Sequence, residues 1–192
     1  SEHGCKKFNS HCLDNLIIGD IYQSIEKLKN KKCQYDVIWL NNVLEHVIDP
    51  IELLNELKDL IAKNGILQVH VPNDFSKLQL QLLKDSIIDN PFWIAIPDHI
   101  SYFDKDSLFN IANETNWEIL RITTSYPIDI NLFNENTNYI LDKSKGKSVH
   151  SARIKAENFF HSISPQKANK MFESMAELGI GREIVAFMSL KN

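Results

Sequence analysis

The sequence predicts an α/β protein, a three-layer sandwich in which helices cover a largely parallel sheet. Three observations carry this. Short apolar runs such as Val37-Ile38-Trp39-Leu40 lack polar alternation, so they read as strands buried on both faces. Segments with apolar residues at helical spacing lie between those runs. Each run stops in polar, turn-forming residues: Gly19-Asp20, Asn41-Asn42 and Pro72-Asn73.

The elements follow in order. Residues 2–13 carry a loose helical pattern, and Leu16-Ile17-Ile18 reads as a short buried strand before a helix over 21–29. Val37 to Leu40 is the second strand. Asp49-Pro50-Ile51-Glu52 is a helix start, with a capping Asp, Pro at the first helical position and Glu at the capping-box position. Leu53, Leu54, Leu57, Leu60 and Ile61 form its apolar stripe, and Asn64-Gly65 is expected to end it. Ile66 to Val71 is the third strand.

Residues 74–98 interrupt the alternation with a leucine-rich helix and the apolar loop Pro91-Phe92-Trp93-Ile94-Ala95-Ile96-Pro97. A loop this apolar is expected to cover something. Asp104 caps a helix through Thr115, and 117–123 is a strand. Residues 124–150 are polar and poorly periodic; helices follow at 152–163 and 166–178, the latter capped by Ser164, and Glu183 to Leu190 is the last strand. We read 1–192 as a single domain with insertions at about 74–98 and 124–163.

Composition excludes several classes. The chain has 192 residues and a net charge of -4, so there is no basic footprint and nucleic acid is not expected as a partner. No apolar stretch approaches the roughly 20 residues of a membrane span, and no membrane partner is expected. Cys5, Cys12 and Cys33 lack disulfide-like spacing, which fits a cytoplasmic protein. His3, Cys5, His11 and Cys12 lack the paired spacing of zinc sites.

The run Tyr35-Asp36-Val37-Ile38, then Val43-Leu44-Glu45-His46-Val47 and Asp49-Pro50, resembles the segment after the fourth strand of class I S-adenosylmethionine (SAM) dependent methyltransferases, bacterial type 11/23. Pro97-Asp98-His99-Ile100-Ser101-Tyr102-Phe103 resembles a segment of bacterial methyltransferases acting on sugars or related metabolites. Gly179-Ile180-Gly181-Arg182 resembles the turn into the family's final strand. The resemblance implies a Rossmann-like, mostly parallel sheet whose antiparallel last strand lies between the third and fourth strands of this chain. It also implies SAM as cofactor. Asp20 would accept a hydrogen bond from the adenine amino group, Ile21 would pack on the adenine, and Asn41 would contact the cofactor near its sulfonium arm.

The family's Gly-x-Gly-x-Gly loop does not occur in the sequence. Ser1-Glu2-His3-Gly4 looks like the stretch just after the family's second strand, so strands 1 and 2 are expected to be missing and the chain to be N-terminally truncated. An unpaired edge would then need a missing N-terminal segment or a second copy. In some relatives an acidic residue, the Glu and the His of this run bind a cation. Here Asn42 takes the first place, which weakens a hard-cation site, so no metal is expected. Glu45 is read as tying the loop to the following helix, and His46 stays open. His99 is either a general base, with His46 as second candidate, or a histidine bonded to a loop carbonyl.

Two functions are expected from different classes. One is SAM-dependent methyl transfer to a small hydroxylated or amino-bearing substrate, such as a sugar of surface polysaccharide biosynthesis. The other is a non-catalytic methyltransferase-like module that serves interaction or substrate binding and does not bind SAM alone.

Overall fold

The computed structural model describes residues 2–191; Ser1, the first residue of the stretch likened above to the one just after a second strand, lies outside them. Four strands form one sheet in the order β1-β2-β4-β3. They are β1 (Tyr35–Asn41), β2 (Ile61–Pro72), β3 (Trp117–Thr124) and β4 (Glu183–Leu190). β1 and β2 are parallel, while β4 runs antiparallel to both β2 and β3. The antiparallel last strand, β4, therefore sits between β2 and β3, the runs expected as third and fourth strands, as the resemblance implies.

Local chemistry sets the helices. α1 (Glu2–Phe8) precedes α2 (Ile21–Asn30), which Asp20 caps by accepting from the Gln23 N–H at 3.0 Å. α3 (Pro50–Glu56) starts on Asp49, whose carboxylate accepts from the Glu52 N–H at 2.9 Å. α4 (Lys77–Lys84) and α5 (Lys105–Glu114) open with reciprocal capping boxes, Ser76 with Gln79 and Asp104 with Ser107. α6 (Gly146–Ile163) and α7 (Pro165–Leu178) meet at Ser164, which caps α7 through the Lys167 N–H. α7 ends on Gly179 in the left-handed conformation, at φ 73°.

Three expectations need correction. Leu16-Ile17-Ile18 is not a strand: no strand among the described residues lies beside it to pair with, and Ile17 and Ile18 are exposed. β1 is not buried on both faces either. It is the sheet edge, and Val37 and Trp39, which share one face of the strand, are 52% and 69% exposed because that face is left uncovered, while Ile38 and Leu40 face the core. Asn64-Gly65 does not close a helix. The helix gives way at Leu57–Asp59 to a 3-10 turn, and Asn64, with φ 67°, bends β2 from within. There β2 spends Ile61 to Ile66 opposite Tyr35 to Val37 of β1.

Two hydrophobic clusters hold the chain. The larger joins the sheet to α2, α3 and α5 through residues such as Leu44, Leu53, Leu67, Leu108 and Trp117. The smaller joins the two insertions: Leu82, Ile88 and Trp93 of the first pack with Leu132 of the second. Polar contacts reinforce that union, since Gln79 donates to Asp129 at 3.3 Å and Asn138 donates to the Ile87 carbonyl at 3.4 Å. Trp93 is 2% exposed, so the apolar loop covers this second core as the sequence suggests. No helix among the described residues is long and apolar enough to cross a membrane.

Candidate active site at the strand ends

In open α/β sheets, ligands bind beyond the C-terminal ends of the parallel strands. Here those ends are Asn41 of β1 and Pro72-Asn73 of β2, with Arg182-Glu183 entering the antiparallel β4 alongside. His70 links all three strands. Its Nδ1 donates to Asn41 Oδ1 at 2.5 Å, and its Nε2 lies 3.4 Å from Glu183 Oε2. That histidine and burial act on Glu183 in opposite directions; the close approach of His70 prevails and holds the Glu183 carboxyl below its usual range. With Oδ1 engaged, the Asn41 amide keeps its N–H groups for a ligand.

Asp20 and Ile21 stand near the same end. The Tyr22 hydroxyl donates to the Asp49 carbonyl at 3.1 Å, which ties the first turn of α2 to the loop that follows β1. Asp20 is exposed and Ile21 partly buried against the core. Asn42 adopts φ 53°, a left-handed conformation that Asn tolerates and that turns the chain sharply off the strand.

The loops after β1 and before α5 bring three donors together. Glu45, His46 and His99 each offer one ligand atom within 4.8 Å of the others, although His99 is far along the chain. The Glu45 carbonyl accepts from Ile100 N at 2.8 Å and Ser101 N at 3.1 Å, so it ties its loop to the 98–101 segment rather than to α3. Its side chain is 1% exposed, and Oε2 has no hydrogen-bond partner. His46 Nδ1 donates to the Asp98 carbonyl at 2.6 Å, which leaves Nε2 as the lone-pair nitrogen, 3.7 Å from Glu45 Oε1. His99 meets His46 edge to face at 5.0 Å between ring centroids, and its Nδ1 is buried without a partner. This donor set could hold a divalent cation. Tyr102 and Phe103 pack: Phe103 is buried, and the Tyr102 hydroxyl accepts from Ala95 N at 3.2 Å.

Sequence reasoning stopped at Asn73 and so missed Asp74, which follows it. Asp74 is buried, its Oδ2 has no partner, and its backbone N–H donates to the Phe103 carbonyl at 2.7 Å. Burial pushes its carboxyl up to about 6; the Arg182 guanidinium opposes this shift and the Glu45 carboxylate adds to it. Its position at the end of an apolar strand was the available signal.

The comparison with protein families gives a class. The model of the methyltransferase domain family matches residues 8–122, and the chain belongs to that family. No curated protein sequence matches. Similar solved structures include a putative sarcosine dimethylglycine methyltransferase from Galdieria sulphuraria, with 13% identity, 97% of this chain and 64% of that one covered, and TM-score 0.44. Another is a SAM dependent methyltransferase from Archaeoglobus fulgidus, with 14% identity, coverage of 91% and 66%, and TM-score 0.46. A third is mycolic acid cyclopropane synthase CmaA1 complexed with SAH and CTAB, with 13% identity, coverage of 83% and 56%, and TM-score 0.42. The chain thus spans 56–66% of the length of these structures.

Family membership brings SAM as the cofactor against which the strand ends are tested. At the expected adenine end, an exposed carboxylate, Asp20, stands beside the apolar Ile21 at a helix N-terminus, and Tyr22 ties that turn to the loop after β1. The glycine loop that holds the methionine end has no counterpart in the sequence.

Proposed function

We propose that the protein transfers a methyl group from SAM to a small hydroxylated or amino-bearing acceptor, with the acceptor held beside His46 and His99. The observation that carries this reading is the orphaned, buried His99 Nδ1 at the strand ends of a methyltransferase-family domain. When bound, SAM supplies an electrophilic methyl group on a sulfonium. Asp20, Ile21 and Asn41 orient the cofactor. His99 takes the acceptor's proton at Nδ1 as the new bond forms, an interaction that also satisfies the buried nitrogen. His46 is the second candidate, through the Nε2 left free by the Asp98 carbonyl. The 91–97 loop helps keep water from the acceptor. A sugar of surface polysaccharide rests on the resemblance of residues 97–103 alone.

A second reading is favoured by the open edge of β1: a methyltransferase-like module that binds a partner or a substrate and takes up SAM only when a further segment or a second copy covers that edge. Calorimetric titration with SAM separates the two. Binding by this chain, followed by methyl transfer from labelled SAM to a hydroxylated acceptor, supports the first reading. Absence of binding both here and in an N-terminally extended form would overturn it. Chelation addresses the donor set: turnover that survives it belongs to the histidine base, and turnover restored by a divalent cation belongs to a metal on Glu45, His46 and His99.

A further inference from the structure

A cavity of about 300 Å³ opens between the two insertions, lined by Phe92, Tyr139, His150, Arg153 and Arg182 among others. It lies at the strand ends as well. Arg182 directly precedes β4, and its carbonyl accepts from Asn73 N at 3.0 Å. Asp74 feels both Arg182 and Glu45, so the cavity and the histidine pair flank one carboxylate.

Two guanidiniums on this cavity carry unsatisfied buried donors, Arg153 Nε and Arg182 Nη1. Such groups normally have partners, so each requires an explanation. Asp129 does not provide one for Arg182. Its Oδ2 is 3.6 Å from Nη1, within ion-pair range but beyond a hydrogen bond. Both oxygens are already engaged, Oδ2 by Gln79 and Oδ1 by the Tyr139 hydroxyl. Glu183, the other carboxylate near Arg153, is held by His70. Glu157, on α6 with Arg153, accepts from Tyr126 N at 3.1 Å. The Arg182 guanidinium lies over the Phe92 ring at 5.4 Å, which fixes its plane without using its N–H groups. Arg keeps its charge at any physiological pH and presents a planar fork suited to oxyanions. His150, on the same helix as Arg153 and at the cavity wall, adds a third donor.

From this we infer that the Arg153–Arg182 cavity binds an oxyanion, a carboxylate or phosphate group, and that this group belongs to the methyl acceptor. The first half stands on the cavity alone. The second rests on the methyl-transfer reading above and narrows its substrate class to acidic small molecules.

The test is calorimetric titration of the chain with inorganic phosphate and, separately, acetate, with ionic strength held constant by chloride. At least one anion should bind saturably, and Arg153→Gln should weaken it about tenfold or more, as expected for a lost hydrogen bond to a charged group. Arg153→Lys, which keeps the charge, should recover part of the loss. Arg182→Gln should act alike; since it also removes the contact with Phe92, the Arg153 pair decides if Arg182→Gln unfolds. Phosphate alone binding points to a phosphorylated acceptor and acetate alone to a carboxylate; binding of both assigns an unselective oxyanion site. If neither anion saturates, or if folded Arg153→Gln binds them as the unaltered chain does, the inference falls. SAM is absent from these titrations, so if neither this chain nor its N-terminally extended form takes SAM, the methyl-transfer reading and the assignment to the acceptor fail, while saturable anion binding keeps the oxyanion site.

Discussion

The two flanks of the strand ends differ sharply. On the flank proposed for the cofactor, Asp20 and Asn41 are exposed, and β1 presents Val37 and Trp39 to solvent. On the opposite flank, two insertions share a buried core, and Glu45, Asp74, His99, Arg153 and Arg182 carry buried polar atoms without partners. Burial is costly for polar groups and cheap for apolar ones. The second flank therefore holds its polar groups in place through packing and keeps them ready for a ligand. The first holds its apolar residues where they gain nothing until something covers them. The difference teaches that readiness to bind differs between the halves of one site.

The largest expected effect tests the buried flank. His99→Ala should lower turnover by about 10² to 10⁴ while leaving SAM affinity nearly intact, the range for a lost general base. His46→Ala should do less. Steady-state rates in the SAM-binding form decide it, and wild-type rates in both variants would leave positioning alone to carry the reaction. Next, Trp93→Ala should destabilise the fold by about 3–5 kcal/mol, since the ring is buried in the second core, whereas Trp39→Ala on the open edge should stay within about 0.5 kcal/mol. Urea unfolding of the two variants measures the contrast. Equal losses would mean that Trp39 is covered in solution.

Asp74 gives a pH signature. Its folded-state value of about 6 lies above the ordinary 3.8, so the native state binds the extra proton between those values. Stability from this group is greatest below about 3.8 and declines as pH rises through 6. Asp74→Asn removes that penalty and should raise stability at pH 7 by about 1–2 kcal/mol, discounted for screening, with no gain near pH 3.5. Unfolding curves at both pH values check the sign. The smallest effect belongs to the open flank. Asp20→Ala should cost about 1 kcal/mol through the lost cap of α2, while Asp20→Asn keeps the cap. SAM affinity that falls in Asp20→Asn without a change in melting temperature would place the carboxylate on the cofactor.

Much of the fold was legible before any coordinates. Caps at Asp49, Asp104 and Ser164 are local chemistry: one side-chain oxygen meets an N–H three residues on, within a span that the sequence displays directly. The apolar runs of β1, β2 and β4 likewise announce themselves as strands. Leu16-Ile17-Ile18 shows the limit, because a strand needs a neighbour's N–H and C=O groups and no run of apolar residues supplies its own. The burial of Val37 and Trp39 failed for a related reason: an apolar strand face is buried only where another element packs over it, and the run cannot show whether one does.

The candidate site divides along the same line. Asp20 and Asn41 stand out because an apolar run halts beside them, and the Glu45-His46 pair stands out through the resemblance. His99 was found through its resemblance, and only the fold brought it against His46. Arg153 carried no local signal, lying in mid-helix, and Arg182 stood out only as part of the turn into the last strand, not as a binding residue. The sequence by itself determined the helix caps, the strand-forming runs and the family. The tertiary structure decided which buried donors stay without partners, because that depends on groups far apart in the chain competing for the same acceptors.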